Sequence, residues 1–136
     1  DFCLSRGLGD VYKRQDMDRF VAAFSDDGYL TDIPTGATLR GRAIGDYIGR
    51  LTTAFPDIHR ELFKLYTAGD VVVVELAIRG THLGDLPLPS GTLAPTGRTI
   101  DVPCCDVFHL ANGKVTSFHC YNAASITAQQ LGIEGG

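Results

Sequence analysis

The stretch "DVFHLANGKVTSFHCYN", residues 106–122, decides the fold. Two runs rich in β-branched and aromatic residues flank Ala111-Asn112-Gly113, so the segment reads as a hairpin, its first strand reaching back through "TIDVPCC". Strand alternation puts Cys104, Asp106, Phe108 and Leu110 on one face and Cys105, Val107 and His109 on the other. Asp106 is therefore a carboxylate between apolar neighbours. Its cross-strand partner depends on the turn. A two-residue Asn112-Gly113 loop sets Ala111 opposite Lys114 and Asp106 opposite His119. A three-residue loop with a left-handed Gly113 sets Asp106 opposite Phe118 and Cys104 opposite Cys120, and gathers Phe118, Cys120 and Asn122 on the Asp106 face. A slip of one residue exchanges the faces completely, and the residues alone leave both registers open.

The segment "YLTDIPTG", residues 29–36, poses the same problem. Leu30 and Asp32 share one face of a short strand, with Thr31 and Ile33 on the other. Burying an unpaired charge is costly, so Asp32 either faces water, ends the strand, or sits in a pocket that uses it. Two such acids on different strands can converge, and burial raises a carboxyl pKa. A carboxylate of that kind can take a proton from a carbon acid, or stay neutral and donate a hydrogen bond to a developing oxyanion.

Outward from these strands, "DMDRFVAAF" places Met17, Phe20, Val21 and Phe24 on one helical face, and a turn is expected at Asp26-Asp27-Gly28. A second helix is expected from Arg42 to Ala54, with Ile44, Tyr47, Ile48 and Leu51 as its stripe and Pro56 just beyond. "IHRELFKLYTAGDVVVVELAIRGTHLG" reads as a hairpin about Ala68-Gly69-Asp70, and "DLPLPSGTLAPTGR" as a Pro/Gly-rich loop. A short helix is expected from about Ala123 to Leu131. Helices segregated from a run of antiparallel strands make an α+β domain. One domain is expected over residues 16–132, with 133–136 as a tail. The opening "DFCLSRGLGDVYKRQ", residues 1–15, has no clear apolar period; it resembles adapter-derived translation and is expected to be non-native or disordered.

The chain has 136 residues, of which 44% are hydrophobic and 21% charged, the balance of a globular domain able to bury a core. A net charge of −4 argues against a nucleic-acid binder. No apolar run approaches the roughly 18 residues of a membrane span, and no signal-peptide pattern is evident, so a cytoplasmic protein is expected. The four cysteines form no CxxC pair and have no histidine at zinc-site spacing, so a structural metal is not expected.

Taken together, "DMDRFVAAFSDDGYLTDIPTG", "LRGRAIGDYI", "GTHLG", "PTGR" and "DVFHLANGKV" resemble the SnoaL-like polyketide cyclase family of the nuclear transport factor 2-like superfamily, which includes ketosteroid isomerases. The resemblance implies a cone: a strongly curved antiparallel sheet packed on N-terminal helices, enclosing a pocket, in a homodimer. It favours the register with Asn122 on the Asp106 face. Carried over, it aligns Asp32 with the isomerase's general base and Asp106 with its protonated oxyanion acid, which is itself a standard example of such an acid. The isomerase's oxyanion tyrosine would fall near Leu8, which cannot donate, and Asn122 stands where relatives often carry an acid. His82 of "GTHLG" matches a histidine common in the family and is a candidate acid or base. The resemblance thus implies a small enzyme without cofactor, acting by proton transfer on an apolar carbonyl compound as an aldol-type cyclase, isomerase or lyase. Asp32, Asp106 and His82 would be catalytic, with Asn122, Leu30, Tyr47, Phe108, Phe118 and Cys120 around the substrate. The alternative is a ligand-binding or dimerisation module of the same fold.

Overall fold

A computed structural model of the chain describes residues 17–133, so the expectations placed on residues 1–15, Leu8 included, lie outside the described residues. Helix α1 spans Met17–Ala22, and Phe24, expected on its apolar face, instead opens strand β1, Phe24–Asp32. The turn expected at Asp26-Asp27-Gly28 is absorbed into β1 as an irregularity between Phe24 and Tyr29. Gly28 makes that possible, because a Cβ there would stand 2.7 Å from the Val115 carbonyl oxygen.

Strand β2, Ala37–Arg40, folds back on β1 through Gly36 at φ 76°. Helix α2, Arg42–Ala54, covers the expected range and buries Ile44 and Ile48. Strands β3, His59–Ala68, and β4, Val71–Thr81, form the first long hairpin. The Pro/Gly-rich segment is not wholly a loop: β5, Leu86–Leu88, and β6, Gly91–Leu93, make a small hairpin of their own. Strands β7, Thr99–Ala111, and β8, Lys114–Asn122, form the second long hairpin, and helix α3, Ala124–Leu131, closes the described chain.

The main sheet has six strands in the order β2-β1-β8-β7-β4-β3. It is curved and open, with β2 and β3 at its edges, so it is not a closed barrel. Every neighbouring pair is antiparallel except β1 with β8, which run parallel. That exception is available because these strands are far apart in sequence, leaving the rest of the chain as the crossover.

The β7–β8 register follows neither simple alternative. The turn is the two-residue one, with Asn112 at φ 53° and Gly113 at φ 75°, and Ala111 faces Lys114. An irregularity at Thr116 then shifts the ladder by one residue, so that Asp106 faces Cys120 and Cys104 faces Asn122. The bulge restores to the Asp106 face the residues that the longer turn was expected to place there, while changing their pairing.

Two apolar clusters pack against the concave face. Phe20, Phe24, Ile44, Ile48, Phe108 and Phe118 belong to one, and Ala54, Phe55, Ile58, Ile100, Val102 and Leu131 to the other. Among the described residues no helix is long and apolar enough to cross a membrane.

Candidate active site

Asp32 is the last residue of β1, and its carbonyl accepts from the Gly36 amide at 2.8 Å as the chain turns into β2. It therefore ends its strand and also points inward, being 8% exposed. Asn122, at the end of β8, donates to Asp32 Oδ1 at 2.8 Å, and the Thr35 hydroxyl donates to Oδ2 at 2.8 Å. Each carboxylate oxygen thus has one protein donor, which fixes the plane of the group. Hydrogen bonds to a charged acceptor contribute about 1.5–3 kcal/mol each.

Asp32 and Asn122 stand on the wall of a cavity of about 640 Å³ between the sheet, α2 and α3. Leu30, Tyr47, Phe118 and Cys120 line it as well, so six of the candidate residues meet around one volume. The remaining wall is chiefly apolar, including Leu51, Phe55, Ile58, Ile78, Ile100 and Val102. Tyr47 carries a phenol that burial, reinforced by Cys120 and Asp32, pushes well above its usual range. It stays a neutral hydrogen-bond donor across the ordinary pH range.

Asp106 is fully buried and does not line the cavity. Its Oδ1 accepts from the Cys104 thiol at 3.2 Å, and its Oδ2 lies 4.0 Å from Nε of Arg60. Arg60 is 5% exposed and does line the cavity. The two acids are therefore not equivalent: Asp32 reaches the hollow itself, whereas Asp106 sits behind its wall and acts on it through the guanidinium.

Two other candidates stand elsewhere. His82 is fully buried but absent from the cavity wall. Its Nδ1 accepts from the Thr96 amide at 3.1 Å and lies 2.9 Å from the Thr96 hydroxyl, so the ring proton belongs on Nε2. The flanking glycines explain the rest of "GTHLG": a Cβ at Gly80 would press on Phe55, and one at Gly84 would overlap the Thr53 carbonyl. The motif packs the end of β4 against the end of α2, and His82 ties that junction to the 96–98 segment. Phe108 likewise lies in the filled cluster, its ring 4.4 Å from that of Phe118, because it is too far along β7 to reach the cavity.

Sequence reasoning passed over Arg60 and Thr35. Arg60 had a signal, since it alternates with Ile58 and Leu62 on one strand face, the pattern that exposed Asp32 and Asp106. Thr35 had none, because its contact depends on how the turn after Asp32 folds.

A SnoaL-like domain model matches residues 6–118. No curated protein matches. Among solved structures, AclR, a candidate hydroxylase from Streptomyces galilaeus, superposes with a TM-score of 0.79 at 18% identity, over 96% of this chain and 92% of that one. IdmH, a candidate polyketide cyclase from Streptomyces antibioticus, gives 0.74 at 18% identity over 93% and 94%. A protein of ketosteroid isomerase-like fold from Catenulispora acidiphila, in complex with trimethylamine, gives 0.73 at 24% identity over 90% and 87%. At such identities these structures show the fold, and the domain match covers most of the sequence. The chain belongs to the SnoaL-like domain family.

Proposed function

We propose that the chain is an enzyme that moves a proton on an apolar carbonyl compound, in a cyclisation, isomerisation or lyase reaction, with Asp32 as the base. The observation that carries this reading is a single oriented carboxylate on the wall of an apolar cavity large enough for a small organic molecule. Asp32 takes the proton from the carbon next to the carbonyl. The enolate oxygen that develops needs donors, and Tyr47 and Arg60 line the same hollow. Asp106 serves as the counter-charge that holds Arg60, a change from the direct oxyanion role expected for it. Asn122 orients Asp32. Every group the reading needs is a side chain of this chain.

The test uses a probe ketone, 2-tetralone, in deuterium oxide, with exchange of its α-protons followed by NMR. The wild-type chain is expected to accelerate exchange, and Asp32→Asn to lose most of the acceleration while binding the probe. A second reading, a holder of the same kind of molecule without chemistry, draws support from one observation: both Asp32 oxygens already accept protein hydrogen bonds. It predicts binding of probe ketones with no exchange above the solvent rate.

The same proposal includes a homodimer. The outward side of the sheet exposes Phe63 at 60%, Tyr121 at 48% and Ile33 at 37%, beside Pro34 and Pro103 on a shallow apolar depression. Light scattering should give twice the chain mass, and Phe63→Lys with Tyr121→Lys should give the single mass.

A further inference from the structure

No metal-binding spacing in the sequence would pair Cys104, Asp106 and Cys120, yet the bulge at Thr116 sets all three on one sheet face. Their ligand-capable atoms lie within 4.8 Å of one another, and all three residues are buried. Cys104 Sγ stands 3.8 Å from Cys120 Sγ and 3.2 Å from Asp106 Oδ1. Zinc holds thiolate sulfur at about 2.3 Å and carboxylate oxygen at about 2.0–2.2 Å, so a tetrahedral site spaces two thiolates by about 3.8 Å and a thiolate from an oxygen by about 3.5 Å. The separations from Cys104 to Cys120 and to Asp106 already stand close to those values, and the ligand atoms of Asp106 and Cys120 lie within 4.8 Å. We propose that Cys104, Asp106 and Cys120 form a three-ligand site for a zinc-like divalent ion, with the fourth position supplied from the cavity that Cys120 lines.

The charges balance. Two thiolates and a carboxylate carry three negative charges, and a divalent ion with the neighbouring Arg60 guanidinium carries three positive ones. A neutral cluster avoids the large penalty of an uncompensated buried charge. Ligation takes cysteine as thiolate, so each thiol that joins the ion gives up its proton to solvent, and the occupied cluster is neutral with Arg60 counted. Asn122 supplies the outer support, its Nδ2 standing 3.3 Å from Cys120 Sγ, an N–H···S contact of the kind that steadies a ligating thiolate. Asn122 therefore touches both Asp32 and the cluster. The inference itself does not rest on Asp32 acting as a base.

The experiment uses the full chain carrying Cys3→Ser and Cys105→Ser, so that the only thiols left are those of the site. Zn²⁺ is titrated by calorimetry and Co²⁺ by absorption. The expected result is one ion per chain, with a thiolate-to-cobalt charge-transfer band and the visible bands of a tetrahedral ion. Adding Cys120→Ser should weaken Zn²⁺ binding about 100-fold or more, and Asn122→Ala about 10-fold. Circular dichroism and the ion-free melting temperature establish that each variant is folded. If Cys104→Ser does not fold, Cys120→Ser and the cobalt spectrum of the parent decide. A folded parent that shows no charge-transfer band, or that binds Zn²⁺ as well after Cys120→Ser, overturns the proposal. Ketone exchange plays no part in these readouts, so the proton-transfer reading can fail while this site stands, and the reverse.

Discussion

At one end of the concave face, Phe20, Phe24, Phe108 and Phe118 pack ring against ring and fill the space between sheet and helices. At the other, Phe55, Ile58, Ile100 and Val102 are just as apolar, yet they surround a void of about 640 Å³. Strand β7 contributes to both, with Phe108 toward the filled end and Ile100 and Val102 toward the hollow one. The polar residues mark the boundary: Asp32, Tyr47, Arg60, Asp106 and Asn122 lie where filling stops. An interior is normally packed as densely as an organic crystal. The open region is the one on which the proposed substrate site rests, while the filled end supplies the stability that tolerates the gap.

The largest effect that would sharpen this contrast is chemical. Asp32→Asn should lower ketone exchange by about 10²–10⁴-fold, the usual contribution of a positioned acid–base group. The chain should stay folded while losing up to about 3 kcal/mol with the altered Asn122 and Thr35 bonds. Equal exchange in the variant would remove Asp32 from the chemistry. Phe108→Ala, at the filled end, should do the opposite: a loss of about 3–5 kcal/mol in urea unfolding, with probe affinity retained in the folded fraction. If Phe108→Ala instead abolished binding at full stability, the division between the two ends would be wrong.

The boundary itself can be probed. Arg60→Met removes the guanidinium beside fully buried Asp106 and should cost about 3–5 kcal/mol, much of it recovered in Arg60→Met with Asp106→Leu. Absence of recovery would mean that Asp106 is held by groups other than Arg60.

A smaller effect tests the frame that holds the hollow open. Asp57 accepts from the Thr81 amide at 2.7 Å and from its hydroxyl at 2.8 Å, and these bonds hold its carboxyl below the usual range. A lowered folded value means the stabilisation is complete above the unfolded carboxylate range and is lost as pH falls through the folded value. Asp57→Asn should therefore cost about 1 kcal/mol near neutrality, allowing for solvent screening, and nothing in strong acid. Urea melts at both pH values measure it.

A comparably small change in stability is expected at the void's wall. Val102→Phe grows into open volume and should shift unfolding by less than about 1.5 kcal/mol while displacing the probe ketone.

Much of this architecture was legible in the residues. The range of α2 follows from its apolar stripe and from Pro56, and both long hairpins follow from their turn residues. Asp32 and Asp106 betrayed themselves as charges in apolar alternation. The pairing of Asp106 was not legible, because it depends on an extra residue at Thr116 that no local composition announces. Nor was the absorption of Asp26-Asp27-Gly28 into β1, which needs the close approach of β8 at Gly28. His82 shows the converse: the residue type suits catalysis, but its Nδ1 bonds to Thr96 away from the cavity wall, and only tertiary packing reveals that.

The parallel pairing of β1 with β8 has a consequence for how the molecule is born. Asp32 receives its amide partner from a residue 90 positions later, so a nascent chain on the ribosome holds an incomplete pocket until Asn122 has emerged. Contacts of such long sequence separation make for slow folding, and the half-made sheet must wait with its β1 edge uncovered. The last of these strands thus brings Asp32 its partner, and helix α3, made after it, closes the cavity wall.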